Sequence, residues 1–149
     1  MTGRRQGKNF QQQRRNPIQD LISEIRNANS LKEVFTPEEY ALPDGWAHKT
    51  AKRLSKQAMN SNQLRKIFTQ LKSIEEKIDR NKNNELTDAQ INEILLIMPQ
   101  IAYAKGRDLI PWEFYDLMKE CITPKKLKDK DDFKSFVNFY TAVVAYSKV

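Results

Sequence analysis

The residue types that usually carry catalysis or metal binding are scarce in this chain. It has one cysteine, Cys121, and one histidine, His48, which excludes an internal disulfide and leaves no basis for a Cys/His metal site. Its four glycines form no GxGxxG or GxxxxGK pattern, so the phosphate-cradling loops of nucleotide-binding proteins are missing. The chemistry available is that of charge. Residues 45–74 hold seven bases (Lys49, Lys52, Arg53, Lys56, Arg65, Lys66 and Lys72) and no Asp or Glu. Residues 1–15 hold five more bases and no acid, while the remaining positions carry 14 bases against all 19 acids. A basic tail and a basic block on an acidic remainder point to a polyanionic partner. Within the block, NSNQLRK puts Asn60 and Ser61 at a helix start, followed by Gln63, Arg65 and Lys66. Free N–H groups at such a start attract phosphate, and neighbouring cations add to that. The block lacks the interleaved aromatics that stack single-stranded bases, so backbone contact without base readout is the expected mode.

Three other constellations read more simply. DRNKNNELTDAQ, residues 79–90, mimics a calcium loop through Asp79, Asn81 and Asn83, but it has Asn84 in place of glycine and Gln90 in place of the bidentate glutamate. One carboxylate is too little charge for a tight site, so a polar helix connection is expected. Glu75, Glu76 and Asp79 suggest a metal-dependent nuclease cluster, yet Lys72, Arg80 and Lys82 lie at ion-pairing spacings from them. Cys121 reads as packing, His48 as solvated, and Trp46 and Trp112 as anchors in the core or between subunits. In IAYAKGR, residues 101–107, an apolar run closes on Lys105, Gly106 and Arg107. Two readings fit this spacing: Gly106 ends a helix with Lys105 and Arg107 near its negative pole, or it lets the chain turn or approach a phosphate with Arg107 presenting the charge.

The elements that must position these residues are helical. A chain of 149 residues with 30% charged residues and a mean hydropathy of -0.75 suits one soluble domain. No run reaches the ~18 apolar residues of a membrane span, and MTGRRQGK has no signal-peptide core, so a cytoplasmic protein is expected. Residues 1–15 read as a flexible basic arm. Asn16-Pro17 opens a helix to about Ala28, and Thr36, Pro37 and Glu39 read as a capping box. A helix from Asp44 to about Ala58 places Ala47, Ala51, Leu54 and Ala58 on one side and Lys49, Lys52, Arg53 and Lys56 opposite. The next runs to about Ile78. Thr87 and Gln90 box the start of another, which Pro99 must kink or restart. Pro111 opens a helix to about Ile122. The last segment, from about Asp131, has Phe133, Phe136, Val137, Tyr140, Val143 and Val144 on one face and Phe139, Ala142 and Tyr146 on a second. With no alternating strand pattern, the fold class is all-α, a compact bundle of about five to six helices. The expected organisation is an arm over 1–15, a helical extension over 16–41 and a main domain over 42–149.

The order LPDGWAHKTAKRL, NSNQLRKIF, IAYAKGRD and FKSFVNFYTAVVAYSK resembles the small α-helical subunit of type III-A CRISPR interference complexes, the Csm complexes. The resemblance spans about residues 42–149 and leaves the first 41 without an inherited role. It implies a non-enzymatic subunit without a cofactor. Copies would stack head to tail beside other Csm subunits along CRISPR RNA paired with target RNA. Such a non-closing interface would account for the second apolar side at Phe139 and Tyr146. Carried over by position, Ser61, Gln63, Arg65, Lys66 and Arg107 are contacts to the target strand, and Lys49, Lys52, Arg53 and Lys56 join them by charge. The type III-B small subunit and a calcium-responsive adaptor using residues 79–90 are the alternatives.

Overall fold

A computed structural model describes residues 16–149; the arm expected over 1–15 lies outside the described residues. Among the described residues there are nine helical segments and no strand. In chain order they are α1 (Pro17–Asn27), the single turns α2 (Leu31–Val34) and α3 (Pro37–Tyr40), α4 (Trp46–Lys56), α5 (Ser61–Asp79), α6 (Asp88–Leu95), α7 (Ile97–Gly106), α8 (Trp112–Cys121) and α9 (Lys130–Tyr146). The all-α class follows from period: each longer helix repeats its buried residues at three and four positions, as in Leu64, Ile67, Leu71, Ile74 and Ile78 of α5.

The ends obey local chemistry in most places. The Asn16 side chain accepts from the amides of Ile18 and Gln19, with Pro17 next, and Thr87 and Gln90 form the reciprocal box at α6. Thr36 occupies its cap position but makes no side-chain cap bond, so the box expected there is absent. Pro99 acts upstream. Its missing N–H and its ring both concern the carbonyl of Leu95, where α6 ends, and the chain restarts at Ile97 with Pro99 harmlessly in the first turn.

α9 is the axis of the core. It packs against α4 and α5 and also against α2 and α3, while α1 lies against α4 and α8. This placement corrects one expectation. Phe139 is 1% exposed, stacked on Phe35 at 4.3 Å and edge-on to Tyr40 at 6.1 Å. Tyr146 donates its hydroxyl to the Ala41 carbonyl at 2.7 Å and stacks on His48 at 4.6 Å. The second apolar side of α9 is therefore covered by this chain's own residues 35–48. A stacked copy is not needed to explain it. Ile18, Leu21, Ile22 and Ile25 of α1 are fully buried in the same core.

Candidate nucleic-acid interface

The start of α5 is assembled by two contacts. Asn60 caps it, its side chain accepting from the Gln63 amide at 3.1 Å, which leaves the first-turn amides of Ser61 and Asn62 pointing along the helix with no helical acceptor. Tyr140, buried in α9, donates its hydroxyl to the Leu64 carbonyl at 2.8 Å. Ser61, Arg65 and Lys66 are exposed on this turn and Gln63 is half-buried.

Two helices end beside it in the same way. At the end of α4, Met59 N–H bonds to the Leu54 carbonyl at 3.0 Å and Ala58 N–H to that of Ser55 at 3.2 Å, with Ala58 at φ 58°. At the end of α7, Leu109 N–H bonds to Ala104 and Asp108 N–H to Lys105, both at 2.9 Å, with Asp108 at φ 58°. Both are Schellman motifs, in which a left-handed residue reverses the chain and satisfies the last carbonyls. Ala58 is thus an exposed reversal point and does not share the buried side of Ala47, Ala51 and Leu54. Gly106 likewise does not make the turn: it is the last residue of α7, no glycine among the described residues has positive φ, and Asp108 takes the left-handed position. A Cβ on Gly106 would meet nothing within 4 Å.

The two ends are tied by a bond from the Asn60 amide to the Leu109 carbonyl at 3.3 Å. The segment carrying Arg107 is thereby held against the one carrying Ser61, Gln63, Arg65 and Lys66. Arg107 is exposed, its Nη1 donating to the Tyr103 hydroxyl at 3.3 Å. Lys105 turns the other way, its Nζ 3.8 Å from the centre of the Trp112 ring, a cation–π arrangement that fixes a half-buried lysine. Trp112 itself is 56% exposed, so it is not a core anchor.

Between α4, α5 and α9 lies a cavity of about 180 Å³ whose floor includes Leu54, Leu64 and Val143 and whose rim includes Ser61, Arg65 and Lys148. Lys148 follows α9 and reaches this rim only through the fold. Nothing in the spacing of the basic block signals it.

The cations of α4 separate. Lys52 and Lys56 are exposed. Lys49 is exposed but lies 5.5 Å from the Trp46 ring centroid. Arg53 is committed: its Nε and Nη2 each donate to Glu113 of α8 at 2.9 Å. Glu113 also accepts from the side chain of Asn16, the α1 cap. The hydrogen bond from Arg53 holds the Glu113 carboxyl below the usual carboxylate range and raises the guanidinium's own affinity for its proton. Arg53 is a structural clamp among α1, α4 and α8, not a free charge on the Lys52 face.

The rival constellations dissolve into packing. Asp79 pairs with Lys134 at 3.0 Å, the Lys130 ammonium donates to the Asn81 carbonyl, and Gln90 serves the α6 cap, so Asp79 and Gln90, the first and twelfth residues of the calcium-like loop, are engaged within the fold. Glu75 is buried and pairs with Lys72 at 3.0 Å. Among the described residues no group of three or more His, Cys, Asp or Glu could hold a metal ion. Burial pushes the Cys121 thiol well above its ordinary pKa, which suits a packing residue. His48, read from sequence as solvated, accepts the Asp44 amide at 3.0 Å through Nδ1 and lies under Tyr146. Among the described residues no helix is long and apolar enough to cross a membrane.

Compared with known proteins, residues 38–149 match a family model described as Csm2 Type III-A. No curated protein and no solved structure matches the chain.

Proposed function

The chain belongs to the Csm2 Type III-A family of small subunits in type III-A CRISPR Csm complexes, and from that membership we propose that it is a non-catalytic scaffold binding target RNA. Its contacts are to the backbone of target RNA paired with CRISPR RNA. Ser61, Gln63, Arg65, Lys66 and Arg107 supply them, with Lys52 and Lys56 on the flank. The carrying observation is the Asn60–Leu109 hydrogen bond, which joins two segments almost fifty positions apart into one edge. Among the described residues Arg65, Lys66 and Arg107 make no ion pair, whereas Arg53 and Lys72 do. Unpaired cations beside free helix-start amides favour phosphate oxygens, and they carry no base code.

Copies stack head to tail along the duplex in this reading. The apolar side chains left for that contact include Leu96, at the junction of α6 and α7, and Tyr103 of α7, 65% and 66% exposed. Contact then travels through α7, and α9 stays internal.

The test replaces Arg65 and Arg107 together by Ala in the assembled complex. If about four phosphate contacts form per subunit, log affinity against log salt has a slope contribution near -2.8, and the double variant lowers it by about 1.4. Unchanged affinity and slope would remove the site assignment. Purified protein incubated with labelled RNA and magnesium is expected to leave it intact; cleavage would end the non-catalytic reading.

A further inference from the structure

The cavity between α4, α5 and α9 is framed by residues one turn apart on each helix: Ala51 and Ser55, Ser61 and Arg65, and Val143 with the cap residue Ser147. Residues four apart share a helix face. Ala51, Ser55 and Ser147 are too short to fill the space between the helices, and Leu54, Leu64 and Val143, all buried, give it an apolar floor. Met59 lines it as well, brought back over α4 by the reversal at Ala58 and the bond from its own N–H to the Leu54 carbonyl at 3.0 Å. The space is about 180 Å³, room for one ring system and too little for a drug-sized ligand.

Charge narrows the choice of occupant. Arg65 and Lys148 stand at the rim, neither forms an ion pair among the described residues, and no Asp or Glu lines the cavity. The depressions beside Trp46 are different, carrying Glu24, Glu33, Glu38 and Glu39. The hydroxyls of Ser55 and Ser61 have no hydrogen-bond partner among the described residues. Each can donate or accept, which suits the edge of any base.

We propose that this cavity holds one unpaired nucleotide, its base on the apolar floor and its phosphate between Arg65 and Lys148. The inference rests on the RNA-binding reading of the Arg65 and Arg107 edge and adds a buried base to contacts that were to backbone alone. A ring on the floor displaces water from three apolar side chains, while the two cations meet the phosphate at the mouth. A base held in a duplex cannot enter, so the nucleotide is unpaired. Apolar walls and rotatable hydroxyls carry no base code, in keeping with sequence-independent contacts at the edge. An RNA strand and a free nucleoside monophosphate offer the same chemistry, and the test separates them.

The full chain, with labelled Leu, Val and Met methyl groups, is titrated with adenosine 5′-monophosphate, with ribose 5-phosphate and with a single-stranded RNA hexamer. Adenosine monophosphate is expected to shift the methyl signals of Leu54, Met59, Leu64 and Val143 saturably, and ribose 5-phosphate to leave them in place. Ser55→Phe, which fills the mouth from an exposed position, should abolish the shifts. Lys148→Ala, beyond the last helix, should weaken binding about 2- to 5-fold. A hexamer that moves the same methyls and binds at least ~10-fold more tightly, through its further phosphates, assigns the nucleotide to a strand. One that binds no better assigns it to the free nucleotide. No saturable shift with any ligand, or equal shifts with ribose 5-phosphate, overturns the proposal. So do cavity shifts that appear on assembly of the complex without RNA, which give the cavity to a side chain of a neighbouring subunit. The two readings fail separately. A silent cavity with a normal salt slope in the complex removes the base site alone, whereas saturable cavity shifts with a slope indifferent to Arg65→Ala/Arg107→Ala remove the backbone interface alone.

Discussion

The hydroxyl of Tyr140 donates to the carbonyl of Leu64 at 2.8 Å, from the middle of the most buried helix to the first turn of the one that carries Arg65. Phe68, Phe114 and Phe136 surround the ring, with centroids at 6.4 Å each. Burial pushes the phenol's pKa well up, so it remains a donor at any working pH. Tyr140→Phe keeps the packing and removes the buried hydrogen bond between α5 and α9, leaving the exposed Lys134–Asp79 pair at the other end of α5. The expected loss is about 1 kcal/mol, read as a lower urea midpoint at unchanged slope.

Phe35 and Phe139 test where the second apolar side of α9 is used. Phe35→Ala opens a void against a stacked ring and should cost about 3–5 kcal/mol. Self-association should stay unchanged at concentrations where the variant is folded. A variant of near-native stability with altered sedimentation would return Phe139 to an interface between copies.

Glu113 gives the fold a pH dependence with a definite sign. Its folded pKa lies below the unfolded one, chiefly through the Arg53 hydrogen bond. The contribution is complete above the unfolded carboxylate range and is lost as pH falls through the folded value. Glu113→Gln should cost about 1–2 kcal/mol at neutral pH, less than for a fully buried pair because Arg53 is partly solvated. Denaturation followed from neutral to acid pH should then run flatter in the variant than in the parent.

Two glycines and one alanine probe the backbone. A Cβ on Gly45 would lie 2.9 Å from the carbonyl oxygens of Glu39 and Leu42, so Gly45→Ala should destabilise by about 1–3 kcal/mol. Gly106→Ala meets open space inside a helix and should stabilise by about 0.5–1 kcal/mol. Ala58→Gly relieves a left-handed alanine and should stabilise by about 1 kcal/mol. Thermal melts of the three variants check the order. A drop in RNA affinity for Gly106→Ala alone would show that the open space admits a phosphate.

Much of the fold is legible in local pattern because helices are written locally. Apolar residues at three and four positions predict the buried faces of α5 and α9, and Asn16, Asn60 and Thr87 mark starts by a side chain reaching two or three residues along. Thr36 shows the limit: the motif is present and the bond is not. Gly106 and Ala58 show another, since a helix end depends on which residue adopts the left-handed conformation, and Asp108 and Ala58 do so here. The candidate site is legible as composition only. The acid-free block marks Arg65 and Lys66, but a helical wheel ranks Arg53 beside Lys52 and cannot see Glu113, 60 residues on.

By itself, then, the sequence determined the helical class, the basic character of one block and the family pattern, all of which rest on neighbours within a turn or two or on summed charge. Only the tertiary structure decided which cations are available. Arg53 is neutralised by Glu113 and Lys105 is held on Trp112, while Arg107 is tied beside the start of α5. It also decided that the second face of α9 is internal, because Phe35, Tyr40 and Ala41 reach it from about a hundred residues away. Availability of a charge or of an apolar face is a property of what packs against it, and packing partners distant in the chain leave no mark on local spacing.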